Sequence, residues 1–519
     1  MKNITKYLII VAGIVLGFAC VKEPTMSATE IEQRSLKAWI EKYHPELLEN
    51  YQEEGGYYVE ILDRGVQDSL PITGKDAWLW VDFTACDLQG NVCETRSWEL
   101  ALQQNTYNNH THYTPVFRFS GKDSHTLLEG SYLAIFNKLK IGDEEFEARY
   151  GTRLRLYLPS TVTSSNTGGT ADGGYEGQYE LDGDKPAIVD MMVYGHITNP
   201  VAYEGNRVDS FANINGGLCT EHKAEPKEDE ESAEKSVRRR LTRADSEEGE
   251  EEVDTRPLEF FDGRWHQPID TLAQLYVNYA YSPARNTFDY NAIGVDTLMY
   301  PSENGYDKGK IYGASTLADI DRRINEALVE RFGEGISVDE VLEADSLKTK
   351  ATANVWYIGR FLDGYVFDTN IDEVREIVFG DVGEAGEALS FETKKPLEND
   401  YILAWNYSLP TLRLGQWATI LTVSTYAYGI SGQVGAHTST TTGDTSAIDY
   451  ANYYNYMSYM NSMYGYGYGS MYNSGYYGYN PYYYGYNYVP SNTNTTTITT
   501  TATEIPSYSP MIFQVFVEK

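Results

Sequence analysis

Residues 223–256, KAEPKEDEESAEKSVRRRLTRADSEEGEEEVDTR, contain almost no apolar side chain and are crowded with charge. Such a segment cannot bury enough surface to offset the entropy of ordering it, so it reads as an acidic disordered linker. The RRRLTR within it reads as solvated. The linker divides the 519 residues into two globular parts, within a length that suggests roughly three domains at about 150 residues each. The net charge of −34 argues against a nucleic-acid partner, because a phosphate backbone needs a basic surface.

The chain opens MKNITKYLIIVAGIVLGFAC: two lysines, an apolar run from Tyr7 to Phe18, then Ala19 and Cys20. The run is too short to span a bilayer and fits a secretory signal over residues 1–20. The small residues before Cys20 resemble a bacterial lipobox, although Gly17 stands where leucine is usual. The resemblance implies cleavage before Cys20, lipid on its sulfur, and anchorage in a membrane of the cell envelope. Val21-Lys22-Glu23 has no aspartate after the cysteine, so the expected address is the outer membrane, on either face.

Within 21–54, EIEQRSLKAWIEKYHPEL spaces Ile31, Leu36, Trp39, Ile40 and Tyr43 as an amphipathic helix. Residues 55–200 then alternate with period two in YYVEIL, DAWLWVDFTAC, PVFRF, LRLYLP and AIVDMMVYG, a set of short strands. A hairpin turning at Gln89-Gly90 would set Cys86 opposite Cys93, a pair that an exported protein can oxidise. Cys219 is left over, and no spacing suggests a zinc site. Residues 257–344 read as a connecting region with a strand in LAQLYVNYAY. They also hold a helix in STLADIDRRINEALVERFG, capped by Ser315 or Thr316 and stopped by Gly333.

The last part, 345–519, carries the chemistry. VWYIGRFLDGYVFDTN is a strand, an Asp363-Gly364 turn and a return strand ending in Phe367-Asp368. It is followed by YILAWNYSLPTLRLGQWATILTV, TYAYGISGQVG and IPSYSPMIFQVFVEK. In this order the segments resemble the FKBP family, the macrolide-binding peptidyl-prolyl isomerases. Tyr357 and Gly359, the DGxxFD turn, Ile402 and Trp405, Gly415, Ala427-Tyr428-Gly429, Ile505-Pro506 and Phe513 match its landmarks.

The resemblance implies an α+β fold, a curved antiparallel sheet wrapped on a short helix. Trp405 would be the pocket floor, with Tyr357, Phe367 and Phe513 as walls. The Ile402 amide and the Tyr428 hydroxyl would hold substrate carbonyls, and Asp368 would orient the pocket. Leu389, Tyr401, Ala427, Gln433 and Ile505 would complete substrate binding. The implied partners are proline-containing polypeptides, with no cofactor and no metal. This chain departs from the pattern at Leu389, where a pocket phenylalanine is usual, at Ala404 in place of glycine, and at Gln433 in place of histidine. No arginine pairs with Asp368 by pattern, Arg375 being the nearest guess.

The first part, 55–200, looks like the same family order with its pocket lost. Phe83 replaces the tyrosine, Cys93-Glu94 the Phe-Asp pair, and Ser131 the tryptophan, and no AYG follows. Two FKBP-like domains are therefore expected, the first degenerate. Between Gly435 and Ile505 lies an insertion over 437–503, within the loop that the family strings over its active site. Its centre, MYGYGYGSMYNSGYYGYNPYYYGYNYVP, and its Thr-rich arms suggest a mobile extension. It reads either as an aromatic surface for unfolded chains or as a tolerated loop expansion. A non-catalytic chaperone or binding lipoprotein, or a structural envelope component, are the rival functions.

Overall fold

The computed structural model describes residues 27–519 except 74–76, 89, 91, 106, 122–124, 164–185, 220–255, 270, 291–311, 313–314, 381–384, 394–399, 434 and 443–494. Cys20, the linker up to residue 255 and the Tyr/Gly run lie outside the described residues.

The chain begins with helix α1 (Ala28–Tyr43), whose first turn is closed by a reciprocal capping pair between Ser27 and Glu30. Its apolar stripe packs Leu36 and Ile40 against Tyr58 and Tyr157 of the first sheet. That sheet contains β1 (Tyr51–Gln52), β2 (Tyr57–Arg64), β3 (Trp78–Asp87), β4 (Val92–Thr95) and β5 (Val116–Phe119). A small hairpin, β6 (Leu139–Ile141) with β7 (Glu144–Phe146), stands apart, and β8 (Thr152–Leu158) and β9 (Ala187–Ile197) complete the sheet. Two short helices, α2 (Trp98–Gln103) and α3 (Glu129–Phe136), fall between strands, and α4 (Pro200–Ile214) leaves the last one.

The second sheet uses β10 (Leu275–Asn278), β11 (Thr352–Phe361), β12 (Val366–Thr369), β13 (Leu389–Glu392), β14 (Trp417–Thr422) and β17 (Met511–Val517). Its helices are α5 (Leu317–Phe332), α6 (Asp372–Phe379) and α7 (Leu403–Ser408). Every pairing in both sheets is antiparallel, so the chain is α+β.

The two sheets repeat one strand order. Inside its extra edge strand β1, the first runs β2-β8-β9-β3-β4 with β5 on β3, and the second runs β10-β14-β17-β11-β12 with β13 on β11. The order explains why β10 belongs to the second module: it hydrogen-bonds β14 from Leu275↔Thr422 to Asn278↔Thr419. The sheet therefore starts well before the boundary expected at 345. Helix α5 also joins this module, burying Leu317, Ile320, Ile324 and Leu328 in its core, with Thr316 as N-cap and Gly333 as C-cap. Past residue 200 the chain bridges the two modules. Helix α4, capped by Asn199, buries Val208, Phe211 and Ala212 in the second module's core.

Two expectations from pattern are corrected by register. A bulge in the β3–β4 hairpin sets Ala85 opposite Glu94 and Cys86 opposite Val92, so Cys93 is the extra residue and does not face Cys86. No disulfide joins them; Cys93 lies in the core and Cys86 is partly exposed. The Thr-rich arms of the insertion, read as part of a mobile extension, pair as a ribbon, β15 (Ala436–Thr442) with β16 (Thr495–Ala502). Threonine's branched Cβ favours extended backbone, which supports such pairing.

Candidate functional site: an aromatic cup on the second sheet

The β11–β12 hairpin builds one side of the site. Gly359 pairs with Asp368 and Arg360 with Val366, which leaves Phe367 as a bulged residue. The far end of its ring abuts the strand: a Cβ at Gly359 would sit 2.6 Å from Phe367 Cζ. Glycine at this position is therefore a packing requirement. Next along the strand, the Tyr357 hydroxyl donates to Asp368 Oδ2 at 2.7 Å. The Asn370 carboxamide stitches the hairpin beyond its last pair, accepting from Tyr357 N and donating to Val355 O.

The base comes from α7, whose N-cap is Ile402. Trp405, 7% exposed, meets Tyr357 edge-on at 4.9 Å between ring centroids and Phe513 at 5.4 Å. Phe367 in turn meets Phe513 and Tyr428, each at 6.0 Å and nearly perpendicular. Edge-to-face contacts of this kind add about 0.5–1.5 kcal/mol each beyond area burial and fix ring orientation. Tyr357, Phe367, Trp405, Tyr428 and Phe513 thus form one contiguous cluster. Tyr357 and Tyr428 of the cluster are half-buried, as are Asp368, Ile402 and Ala427. Phe513, expected as a wall, is fully buried and lies at the back of the cluster.

The cup is dry enough to shift its titrating groups. Burial raises the Asp368 pKa, opposed by the Tyr357 hydrogen bond and by the positive charge of Arg375. Burial, followed by the Asp368 charge, pushes the Tyr428 hydroxyl up to about 12. Tyr357 is raised further by burial and then by the same carboxylate. Both phenols are therefore neutral hydrogen-bond donors at physiological pH. Arg375 acts on Asp368 through its field, while its guanidinium lies 3.8 Å from Asp372.

The remaining expected residues are placed less uniformly. The Tyr401 hydroxyl donates to Ser390 O at 2.6 Å and its ring packs on Phe391, on the β13 side. Leu389, half-buried, opens β13 opposite Val355. Gln433 is exposed and Ile505 buried, and their backbones exchange two hydrogen bonds at the ribbon's base. Neither Gln433 nor Tyr401 is joined to the cup by a ring contact. Ala404, within α7, is fully buried. Asn370 was not anticipated, although an asparagine directly after a strand end is a residue type that bonds local backbone.

Register gives the counterpart of each cup position in the first sheet. Ala85↔Glu94 and the bulged Cys93 match Gly359↔Asp368 and the bulged Phe367. Across the central pair, Ala85↔Val189 matches Gly359↔Phe513. Leu128 caps α3 with nearly the backbone angles of Ile402 before α7, which sets Ser131 at the Trp405 position. Phe367, Trp405 and Phe513 are thus replaced there by Cys93, Ser131 and Val189, and Tyr357 by Phe83.

Two other features lie away from the cup. A cavity of about 1090 Å³ on the far side of the second module is lined by Phe288, Tyr290, Leu317 and Asp321. Cys219, Asp262 and His266 bring ligand-type atoms within 4.8 Å of one another, a grouping that sequence spacing did not show. There Asp262 already accepts from His266 Nε2 at 2.8 Å and from Arg264.

No protein-family model matches the chain, and no curated protein is similar to it in sequence. Among solved structures it is similar to the three FKBP domains of wheat FKBP73, at 11% identity over 90% of this chain and 95% of that one, with a TM-score of 0.18. FkpA from Escherichia coli matches at 13% identity over 36% of this chain and 80% of that one, TM-score 0.17. A peptidyl-prolyl cis-trans isomerase from Pseudomonas syringae pv. tomato matches at 14% identity over 34% of this chain and 68% of that one, TM-score 0.15. At these TM-scores the likenesses carry no weight of their own.

Proposed function

We propose that the second module is an FKBP-type peptidyl-prolyl isomerase and that the first is a non-catalytic relative of it. The observation that carries this reading is the cup: five aromatic side chains converge on one another from β11, β12, α7, β17 and the turn after β14. They are the residues that the family order assigns to its pocket.

The reaction needs no nucleophile. Rotation about an X-Pro bond meets a barrier of about 18–20 kcal/mol because amide resonance is lost on twisting. The planar amide is the more charge-separated form and is better solvated by water. A dry aromatic cup removes that solvation and so favours the twisted form. Lowering the barrier by about 5 kcal/mol gives several-thousand-fold acceleration. Trp405 would seat the proline ring and Tyr357, Phe367 and Tyr428 would exclude water. The Ile402 amide and the Tyr428 hydroxyl would donate to carbonyls beside the bond. Asp368 would hold the Tyr357 ring in place through its hydrogen bond.

By sequence, the substrates would be exported polypeptides and the protein would be tethered through Cys20 to the envelope, in the outer membrane. A protease-coupled proline-peptide assay on the full chain tests the reading. Turnover should be measurable, and Trp405→Ala should remove at least about a hundredfold of it. Wild-type protein with no activity would overturn the catalytic reading and leave a binding module.

A further inference from the structure

The segments that frame the cup are held from outside the second module. The chain leaves β14 through a short turn, Ser424–Tyr426, that leads directly into Tyr428. Glu204 of α4 receives both the amide and the hydroxyl of Ser424, the latter at 2.9 Å. The returning arm carries Glu504, next to Ile505, which is paired with Gln433. The arms are in close contact there, because a Cβ at Gly432 would lie 1.9 Å from Ile505 O.

Glu504 reaches the place in the first sheet that corresponds to the cup. Arg96 Nη2 lies 3.1 Å from Glu504 Oε2, and Arg118 Nη1 lies 4.0 Å from Glu504 Oε1. Glu94, the counterpart of Asp368, is 3.8 Å from each guanidinium. Both guanidinium groups also lie over the ring of Phe83, the counterpart of Tyr357. The arginine side chains are only 3% and 7% exposed. A buried cation is costly unless a carboxylate faces it. Glu504 adds such a carboxylate to both guanidinium groups, so a residue of the second module completes the first sheet's counterpart of the cup. Alongside, Trp78 meets Tyr508 edge-on at 5.0 Å.

We propose that the first module's lost pocket has become a socket that fixes the rim of the second module's cup. Arg96 and Arg118 hold the returning hinge of the ribbon through Glu504, and Glu204 holds the outgoing hinge that carries Tyr428. They are positioning residues, since none of them touches the cup itself. The effect on turnover rests on the isomerase reading. The grip on the hinges does not.

The test uses the full-length protein with Glu504→Gln, close to isosteric, and Arg96→Gln. Amide hydrogen exchange at Gln433 and Ile505 should accelerate about tenfold or more, while amides of β11 and β17 keep their protection. In the same variants kcat/KM for a proline peptide should fall about tenfold, and Glu504→Arg combined with Arg96→Glu should restore part of both. Unchanged exchange at Gln433 and Ile505 in folded Glu504→Gln protein overturns the proposal. If wild-type protein has no isomerase activity, the functional reading falls, and accelerated exchange still supports the socket.

Discussion

The two sheets share strand order, hairpin register and even the position of a bulge, and they differ in what is mounted on them. At the positions where the second carries Gly359, Phe367, Trp405 and Phe513, the first carries Ala85, Cys93, Ser131 and Val189. The scaffold is set by the alternation of apolar residues along the strands, which both modules keep. The cup is set by rings added on one face, and their removal leaves the sheet standing. Gly359 shows the coupling most plainly: the glycine is needed only because a ring lies over it, and where that ring is a cysteine an alanine suffices.

The comparison breaks most sharply if the second module is converted into the first. Trp405→Ser with Phe367→Cys removes two rings of the cup while copying side chains that the first sheet already tolerates. Proline-peptide turnover should drop at least a few hundredfold. Far-UV circular dichroism should show the β structure retained, although losing two large buried side chains costs about 3–5 kcal/mol each when no repacking follows. Retention of turnover in the folded double variant would mean that the chemistry lies elsewhere.

A smaller effect tests the packing requirement. Gly359→Ala should destabilise the second module by about 1–3 kcal/mol, because the Phe367 ring must move. In a Phe367→Cys background the same change should cost far less, giving a coupling energy of about 1 kcal/mol or more in a double-mutant cycle. Urea unfolding read by tryptophan fluorescence measures it. Equal costs in both backgrounds would show that the ring does not dictate the glycine.

Much of this was legible in the residues, for identifiable reasons. Helix α5 announced itself through Thr316, the spacing of Leu317, Ile320, Ile324 and Leu328, and Gly333, all local signals. The order of the aromatic landmarks in the last third picked out the five rings that meet in space. What was missed depends on non-local pairing. The strand read in LAQLYVNYAY is present as β10, but its place at the edge of the second sheet comes from β14, far along the chain. A one-residue bulge moved Cys93 away from Cys86, and no pattern of alternation reports a bulge. Helix α4 had Asn199-Pro200 as a start signal, yet its buried face belongs to the other module. The ties between modules, from Glu204 to Ser424 and from Arg96 to Glu504, join residues 220 and 408 positions apart.

The smallest expected effect concerns burial of charge beside the first sheet's counterpart of the cup. Asp82, next to Phe83 on β3, has its carboxyl pushed up to about 6 by burial, against the opposing fields of Arg96 and Arg153. A carboxyl whose folded pKa lies above its unfolded value of 3.8 binds more protons in the folded state between the two. Its contribution to stability is therefore greatest in acid and is lost as pH rises from about 4 to about 6, the opposite sign to an ion-paired aspartate. Asp82→Asn removes that loss, so the variant should gain on wild type across this window by on the order of 1 kcal/mol. Thermal unfolding of both proteins at pH 4 and pH 7 measures the difference. A gap that stays constant between the two pH values would show that Asp82 stays ionised in the folded chain, with the arginines beside the socket shared between it and Glu94.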